Sequence, residues 1–395
     1  MNRNKLTILI IWLGLGIENP GVAQPGGVMA VIAPHKTTDG RALLWKNHDS
    51  EQRNCKVIFQ QGPRYDFMAV VPVDNPAQVW MGLNTAGFGL VYTLSEDVAG
   101  EKGGTEGDFA RRALGACGRI EDFEAFLDAS QDTLMAIKAH FACIDHFNGC
   151  ALFQVGNDRF QKWDVARSFD APDGYLVRSN FSMDSSGAPG YYSWRYHRTR
   201  ELIGHGLKTN RLSYGYLLRT VARDLASPVM NPYPLPSGSN DKAKTQRFIS
   251  TAETINHHQT VAGIVIQSPK PNEKSALATL WVLLGEPVCS IAVPLWPVTG
   301  KVPEALTGAT SARLNRTIQA KEKQIYPKRK QPELLSLDRL VGGRRNFLDH
   351  LFETENKFLA RTEIQLNSWR FRSFDTNELL DLQEKTAQDI LRQMR

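Results

Sequence analysis

Cysteine is scarce in this chain and sits in no organised pattern. Its 395 residues hold five, at positions 55, 117, 143, 150 and 289, with no CxxC pair and no Cys–His spacing. That excludes a disulfide framework and a sequence-encoded zinc site. One bridge, Cys143 with Cys150 for instance, stays open; otherwise these are buried core thiols. Long apolar runs are also missing beyond the first residues, so nothing later in the chain is built to cross a bilayer. Aromatics are not interleaved with the basic residues, which argues against nucleic-acid recognition. From residue 313 onward there are 17 Lys+Arg against 12 Asp+Glu, so the tail carries most of the net charge of +6. The Pro327-Lys328-Arg329-Lys330 run there reads as a basic linker between solvated helix faces.

What is present begins with a three-part N-terminus. Arg3 and Lys5 precede an apolar run from Leu6 to Ile17, then Pro20-Gly21 and small residues. This is the layout of a secretory signal, with cleavage expected after Ala23; an uncleaved N-terminal anchor is the alternative. The expected division is a signal over 1–23, a folded domain over 24–312 and a charged helical extension over 313–395. The mature protein is expected in an exported compartment, periplasmic or secreted. Hydrophobic residues at 42% and charged ones at 22% are ordinary for a globular protein.

Residues 27–49 carry the densest signal. Two apolar runs flank Asp39-Gly40, a hairpin mark, and the second run ends in Lys46-Asn47-His48-Asp49. Antiparallel pairing brings residues 27–31 beside residues 46–50, placing an amine, an amide, an imidazole and a carboxylate at the open end of an apolar hairpin. Further strands are expected over 56–59, 67–73 and 79–93, the last folded back at Asn84–Gly87. Helical spacing of Phe109, Ala113, Leu114, Phe123, Phe126 and Leu127 predicts two helices broken near Gly118. Residues 141–145 and 150–155 pair around Asn148-Gly149, and 160–164 extends the sheet. A helix is expected over 196–225, a breaker-rich loop over 231–239, and strands over 252–255, 260–266, 278–284 and 290–296. From about residue 302 the pattern is amphipathic and helical. One stripe runs through Phe347, Leu348, Leu351, Phe352, Phe358 and Leu359; another runs through Leu379, Leu380, Ile390 and Leu391. Both suit packing on the domain or on a second subunit of a homo-oligomer, not a cofactor, and no cofactor is expected. His257-His258 lacks a third ligand, and no metal is expected.

Several of these segments resemble motifs of the cysteine N-terminal-nucleophile (Ntn) hydrolases. The closest are the isopenicillin-N acyltransferase-like branch and the choloylglycine hydrolase-like linear amide C–N hydrolases. Asp39-Gly40-Arg41 and Leu43-Leu44-Trp45-Lys46-Asn47-His48-Asp49 resemble the family's DGR-x-LLWKNRD segment, with His48 where Arg is usual. Gly82-Leu83-Asn84-Thr85 resembles its G-x-N-E hairpin, and Val177-Arg178-Ser179-Asn180-Phe181 its V-R-[ST]-N-[FW] segment. The ending over 281–296 also resembles the family's. The resemblance implies an α+β fold, a four-layer αββα sandwich with a helical C-terminal extension, acting on a small-molecule amide substrate. It implies that Asp49 holds an N-terminal group, that Lys46 flanks it, and that Asn180 donates into an oxyanion hole. Asn84, Arg178 and His48 are then substrate-binding candidates. The family's nucleophilic Cys falls at residue 27, where this chain has Gly27. Without a side chain there, the covalent route through that position is closed. Either another nucleophile (Ser95) or an activated water serves, or the chain is a non-catalytic relative that binds an acyl-amide or amino acid derivative.

Overall fold

The computed structural model describes residues 26–98, 105–134, 136–156, 159–182, 190–228, 248–328, 330–342 and 346–395. The expected signal segment, the 231–239 loop and Arg329 lie outside them. β-Branched and aromatic runs form β1 (Gly26–Ile32), β2 (Leu43–Asp49), β3 (Cys55–Gln60), β4 (Phe67–Pro72), β5 (Met81–Asn84) and β6 (Gly89–Leu94). Helices α1 (Glu106–Ala116), α2 (Ile120–Asp128) and α3 (Gln131–Leu134) follow, broken at Gly118 as the spacing predicts. Then come β7 (Ala139–Ile144), β8 (Cys150–Gly156), β9 (Arg159–Asp164), β10 (Tyr175–Arg178), α4 (Gly190–Lys208) and α5 (Tyr214–Tyr216). Strands β11 (Phe248–Ser250), β12 (Thr260–Gln267), β13 (Thr279–Leu284) and β14 (Val293–Leu295) precede α6 (Arg313–Ile325). The chain ends with β15 (Leu334–Ser336), α7 (Leu337–Val341), α8 (Phe347–Phe371) and α9 (Thr376–Met394).

The result is an α+β protein with two large antiparallel sheets. One has the order β10-β1-β2-β12-β13-β14, the other runs β3 to β9 in sequence, and β11 pairs with β15 alone. Strand alternation sorts the side chains into three clusters. Met29, Val31, Leu44, Ile264 and Val282 of the first sheet share a cluster with Met68, Val70, Met81, Val91 and Ala142 of the second. The other face of the first sheet (Val28, Trp45, Trp281) packs with residues of α4, α8 and α9. The other face of the second (Phe67, Tyr92, Phe141) packs with α1 and α2.

All five cysteines are free. Cys143 and Cys150 cannot meet because adjacent ladder positions face opposite ways: Cys143 belongs to the cluster under α1 and α2, Cys150 to the one between the sheets. The expected helix over 196–225 is interrupted: α4 ends at Lys208, where Asn210 takes a positive φ of 51° and Arg211 N–H reaches back to the Gly206 carbonyl, and helical turns resume over Tyr214–Tyr216 and Leu217–Val221. Residues 252–255 form bends because Thr254 Oγ1 bonds the Thr251 and Asn256 carbonyls, and the strand lies just before them as β11. The tail contains β15 as well as helices. It packs on the body of the same chain: Arg223 forms a buried ion pair with Glu355 of α8, and Gln383 of α9 accepts from the Trp296 backbone N–H.

Candidate functional site

The β1–β2 register builds the polar cluster: Gly26 lies opposite Asp49, Gly27 opposite His48 and Met29 opposite Lys46. β10 adds Arg178 opposite Met29. The side chains along β2 alternate, so the four polar residues divide between two faces. Lys46 and His48 point between the sheets. Lys46 Nζ donates to the Tyr92 carbonyl of β6 and lies 5.2 Å from the Tyr92 ring centre; His48 stacks on Trp80 at 4.2 Å. Asn47 and Asp49 point the other way. Asn47 Nδ2 donates to the Ala222 carbonyl at 2.8 Å. Asp49 receives Arg195 of α4 at 2.6 Å and Thr260 Oγ1 at 2.6 Å.

Burial sets the charges. Removed from water, the Lys46 amine falls to about 7, with Asp49 opposing and Arg195 reinforcing the drop. His48 is pushed well below its ordinary value, first by burial and then by Lys46, and is neutral. Burial works to raise the Asp49 carboxyl, but the Arg195 and His257 charges and the bonds from Arg195 and Thr260 together hold it at about 2. Asp49 is therefore an anion already committed to a guanidinium.

Gly27 has a backbone form that only glycine takes easily, with φ at +118°. A Cβ on it would stand 2.0 Å from the Asn47 carbonyl oxygen of β2. Its N–H donates to Asn180 Oδ1 at 3.3 Å. Its carbonyl accepts from Thr93 Oγ1 at 3.3 Å and Ser179 Oγ at 3.4 Å. Gly27 is thus not a gap awaiting a side chain: the neighbouring strand fills the space. Asn180 Nδ2 and both His48 ring nitrogens are buried without a partner among the described residues.

Ser95 Oγ donates to Asp97 Oδ1 at 3.0 Å, and the Ser182 N–H and hydroxyl bind the same carboxylate at 2.7 and 2.9 Å. Burial opposes ionisation of Asp97, but the Ser182 and Ser95 bonds prevail and lower it. Asp97 thereby ties this loop to the segment after Asn180, and Ser95 braces Asp97. Arg178 donates to the Val177 carbonyl at 2.9 Å and lies over the Tyr196 ring. Asn84 is not brought in. Its Nδ2 donates to the Leu114 and Cys117 carbonyls at 2.8 and 2.6 Å, and its Oδ1 accepts from Ala86 and Phe88 N–H. With every bond made, it fastens the β5–β6 turn to the end of α1, at the opposite end of β6 from Thr93.

Sequence reasoning passed over Thr93, Ser179, Thr260 and Arg195. Ser179 stood beside Asn180 in the motif, and Thr93 closed an anticipated strand. Arg195 carried no signal, since it meets Asp49 across 146 positions. Among the described residues no group of His, Cys, Asp and Glu could hold a metal ion.

No family model matches the chain, and no curated protein matches it. Several solved structures are similar to it. A conjugated bile acid hydrolase variant from Clostridium perfringens aligns at 12% identity and TM-score 0.39, over 65% of this chain and 89% of that one. Penicillin V acylase from Agrobacterium tumefaciens aligns at 10% and 0.41, over 68% and 86%. A thermostable penicillin G acylase from Alcaligenes faecalis aligns at 13% and 0.33, over 49% and 51%.

Proposed function

We propose that this chain is an exported Ntn-hydrolase relative of the linear amide C–N hydrolase type whose centre forms no covalent acyl-enzyme at residue 27. It serves instead to bind an acyl-amide or amino acid derivative. The observation that carries this is the Asn47 carbonyl oxygen, 2.0 Å from where a Gly27 Cβ would stand. The three apolar clusters support a four-layer αββα arrangement with α6–α9 as its helical extension. The unpartnered His48 and Asn180 nitrogens supply the polar anchors such a ligand would need, since a buried donor left unbonded is costly until something bonds it.

Purified protein is expected to release no product from N-acyl amino acids, β-lactams or bile-salt amides above a buffer blank. An N-acyl amino acid at about 100 times its Kd is expected to stabilise it by ~2.7 kcal/mol. Turnover that survives thiol alkylation would overturn this reading.

One observation favours a second reading. Lys46, buried between the sheets on the Tyr92 carbonyl with its amine lowered to about 7 by burial, matches the requirement for a general base near neutral pH, with water as the attacking group. It predicts amide turnover that rises through about pH 7 and vanishes in Lys46→Met.

A further inference from the structure

Four large apolar side chains stand far out of the described surface: Phe147 at 58% exposure, Phe169 at 95%, Ile364 at 68% and Phe371 at 91%. The three phenylalanines share one end of the molecule. Phe147 lies in the β7–β8 turn, where its neighbour His146 bonds the Glu273 carbonyl of the β12–β13 loop at 2.8 Å. That loop is tied to the β1–β2 connection through the Arg41–Glu273 ion pair. Phe371, at the end of α8, shares a cleft of about 540 Å³ with Thr38, Lys270 and Glu273 of the same two connections. Phe169 sits in the β9–β10 connection, whose Gly174 carbonyl accepts from Ala33 N–H at 2.9 Å and which packs on Lys36. This is the end where β1 turns into β2, opposite Gly27. Ile364 lies two turns before Phe371 on the same side of α8.

Most acidic side chains around these tips are internally paired; Asp170, beside Phe169, accepts the Asp164 backbone N–H. Glu273, Asp173, Asp164 and Glu363 are each taken by an arginine. Lys36, Lys270 and Lys274 have no acidic partner among the described residues. Arg119 lies 5.0 Å from the Phe147 ring centre and Lys274 Nζ 4.5 Å from that of Phe374. A rigid protein partner would need a separate pocket for each tip. A fluid interface accepts single projecting aromatics wherever they stand, and its anionic headgroups meet the lysines.

We propose that this end is a membrane-docking face: Phe147, Phe169 and Phe371 enter the headgroup–acyl boundary of an anionic lipid surface while Lys36, Lys270 and Lys274 meet its headgroups. The Gly27 centre then faces away from the bilayer.

The test is co-sedimentation of the full chain with phosphatidylcholine vesicles, with and without about one part in four phosphatidylglycerol. Binding is expected to be stronger with the anionic lipid. Phe169→Ser and Phe371→Ser are each expected to weaken it on the order of tenfold, with the melting temperature unchanged because neither side chain is packed. Lys270→Gln with Lys274→Gln is expected to remove the preference for anionic vesicles and leave binding to the neutral ones. Phe169→Trp reports insertion directly, by a blue shift of its fluorescence on adding vesicles. The proposal is overturned if the chain does not pellet above its own blank. It is equally overturned if the Phe147→Ser/Phe169→Ser/Phe371→Ser variant pellets as well as the unaltered chain, because the N-terminal segment is common to both. Light scattering that shows a dimer dissolved by the same triple change, with no vesicle binding, would assign the face to a second copy and overturn it too.

Discussion

Replacing Gly27 by Ala tests the closure of the centre with the smallest possible side chain. Two costs are expected. Holding a non-glycine residue at φ +118° costs on the order of 1–3 kcal/mol. A Cβ 2.0 Å from the Asn47 oxygen must also drive β1 and β2 apart, because atoms in contact sit roughly 3.5 Å apart or more. That movement loosens the bonds from Thr93 and Ser179 to the Gly27 carbonyl and from its N–H to Asn180, each worth about 1 kcal/mol. With all three bonds lost the sum is about 4–6 kcal/mol. Gly40→Ala is the control, since Gly40 also has a positive φ of 70° but its Cβ would meet nothing closer than 3.6 Å; about 1 kcal/mol is expected there. Urea denaturation of the three proteins measures both differences. A Gly27→Ala protein as stable as Gly40→Ala would refute the closure, and would reopen residue 27 to a cysteine side chain.

Three further outcomes follow from the same geometry. Glu355→Ala leaves Arg223 charged and buried beside the Pro287 and Ser290 carbonyls; a loss of about 3–5 kcal/mol is expected, with earlier proteolysis in α8, whereas replacing both partners by methionine should cost less. Glu286 is raised to about 8 by burial and by Glu322, so it is protonated in the fold before it is in the unfolded chain. Its stabilisation is complete at acid pH and is lost as pH rises toward about 8; in Glu286→Gln that decline should disappear from denaturation curves. Lys46 behaves with the opposite sign. With its amine lowered to about 7, the fold loses stability as pH falls from the ordinary lysine range to about 7, and Lys46→Met should remove that slope.

Much of the β architecture was legible because register and turn chemistry are local. Asp39-Gly40, Asn84–Gly87 and Asn148-Gly149 marked three connections, and the apolar runs between them became β1, β2 and β5–β8. Alternation then placed Lys46 and His48 on one face and Asn47 and Asp49 on the other, a division the sequence carries but motif reading overlooked. Long-range pairing was invisible. β11 and β15 are three residues each and stabilise one another across the chain, and Arg195 shows no sign of its bond to Asp49. Residue 27 was readable as a missing side chain, but not as a backbone form that excludes one. φ depends on how β2 crowds β1, and no single residue type reports it.

The most direct measurement is intact-mass spectrometry of the chain after exposure to an activated acyl amide, quenched in acid to trap any ester or thioester. An unmodified mass is expected at every time point. A mass increase equal to the acyl group, mapped to Thr93, Ser95 or Ser179, would contradict the claim that this centre forms no acyl-enzyme.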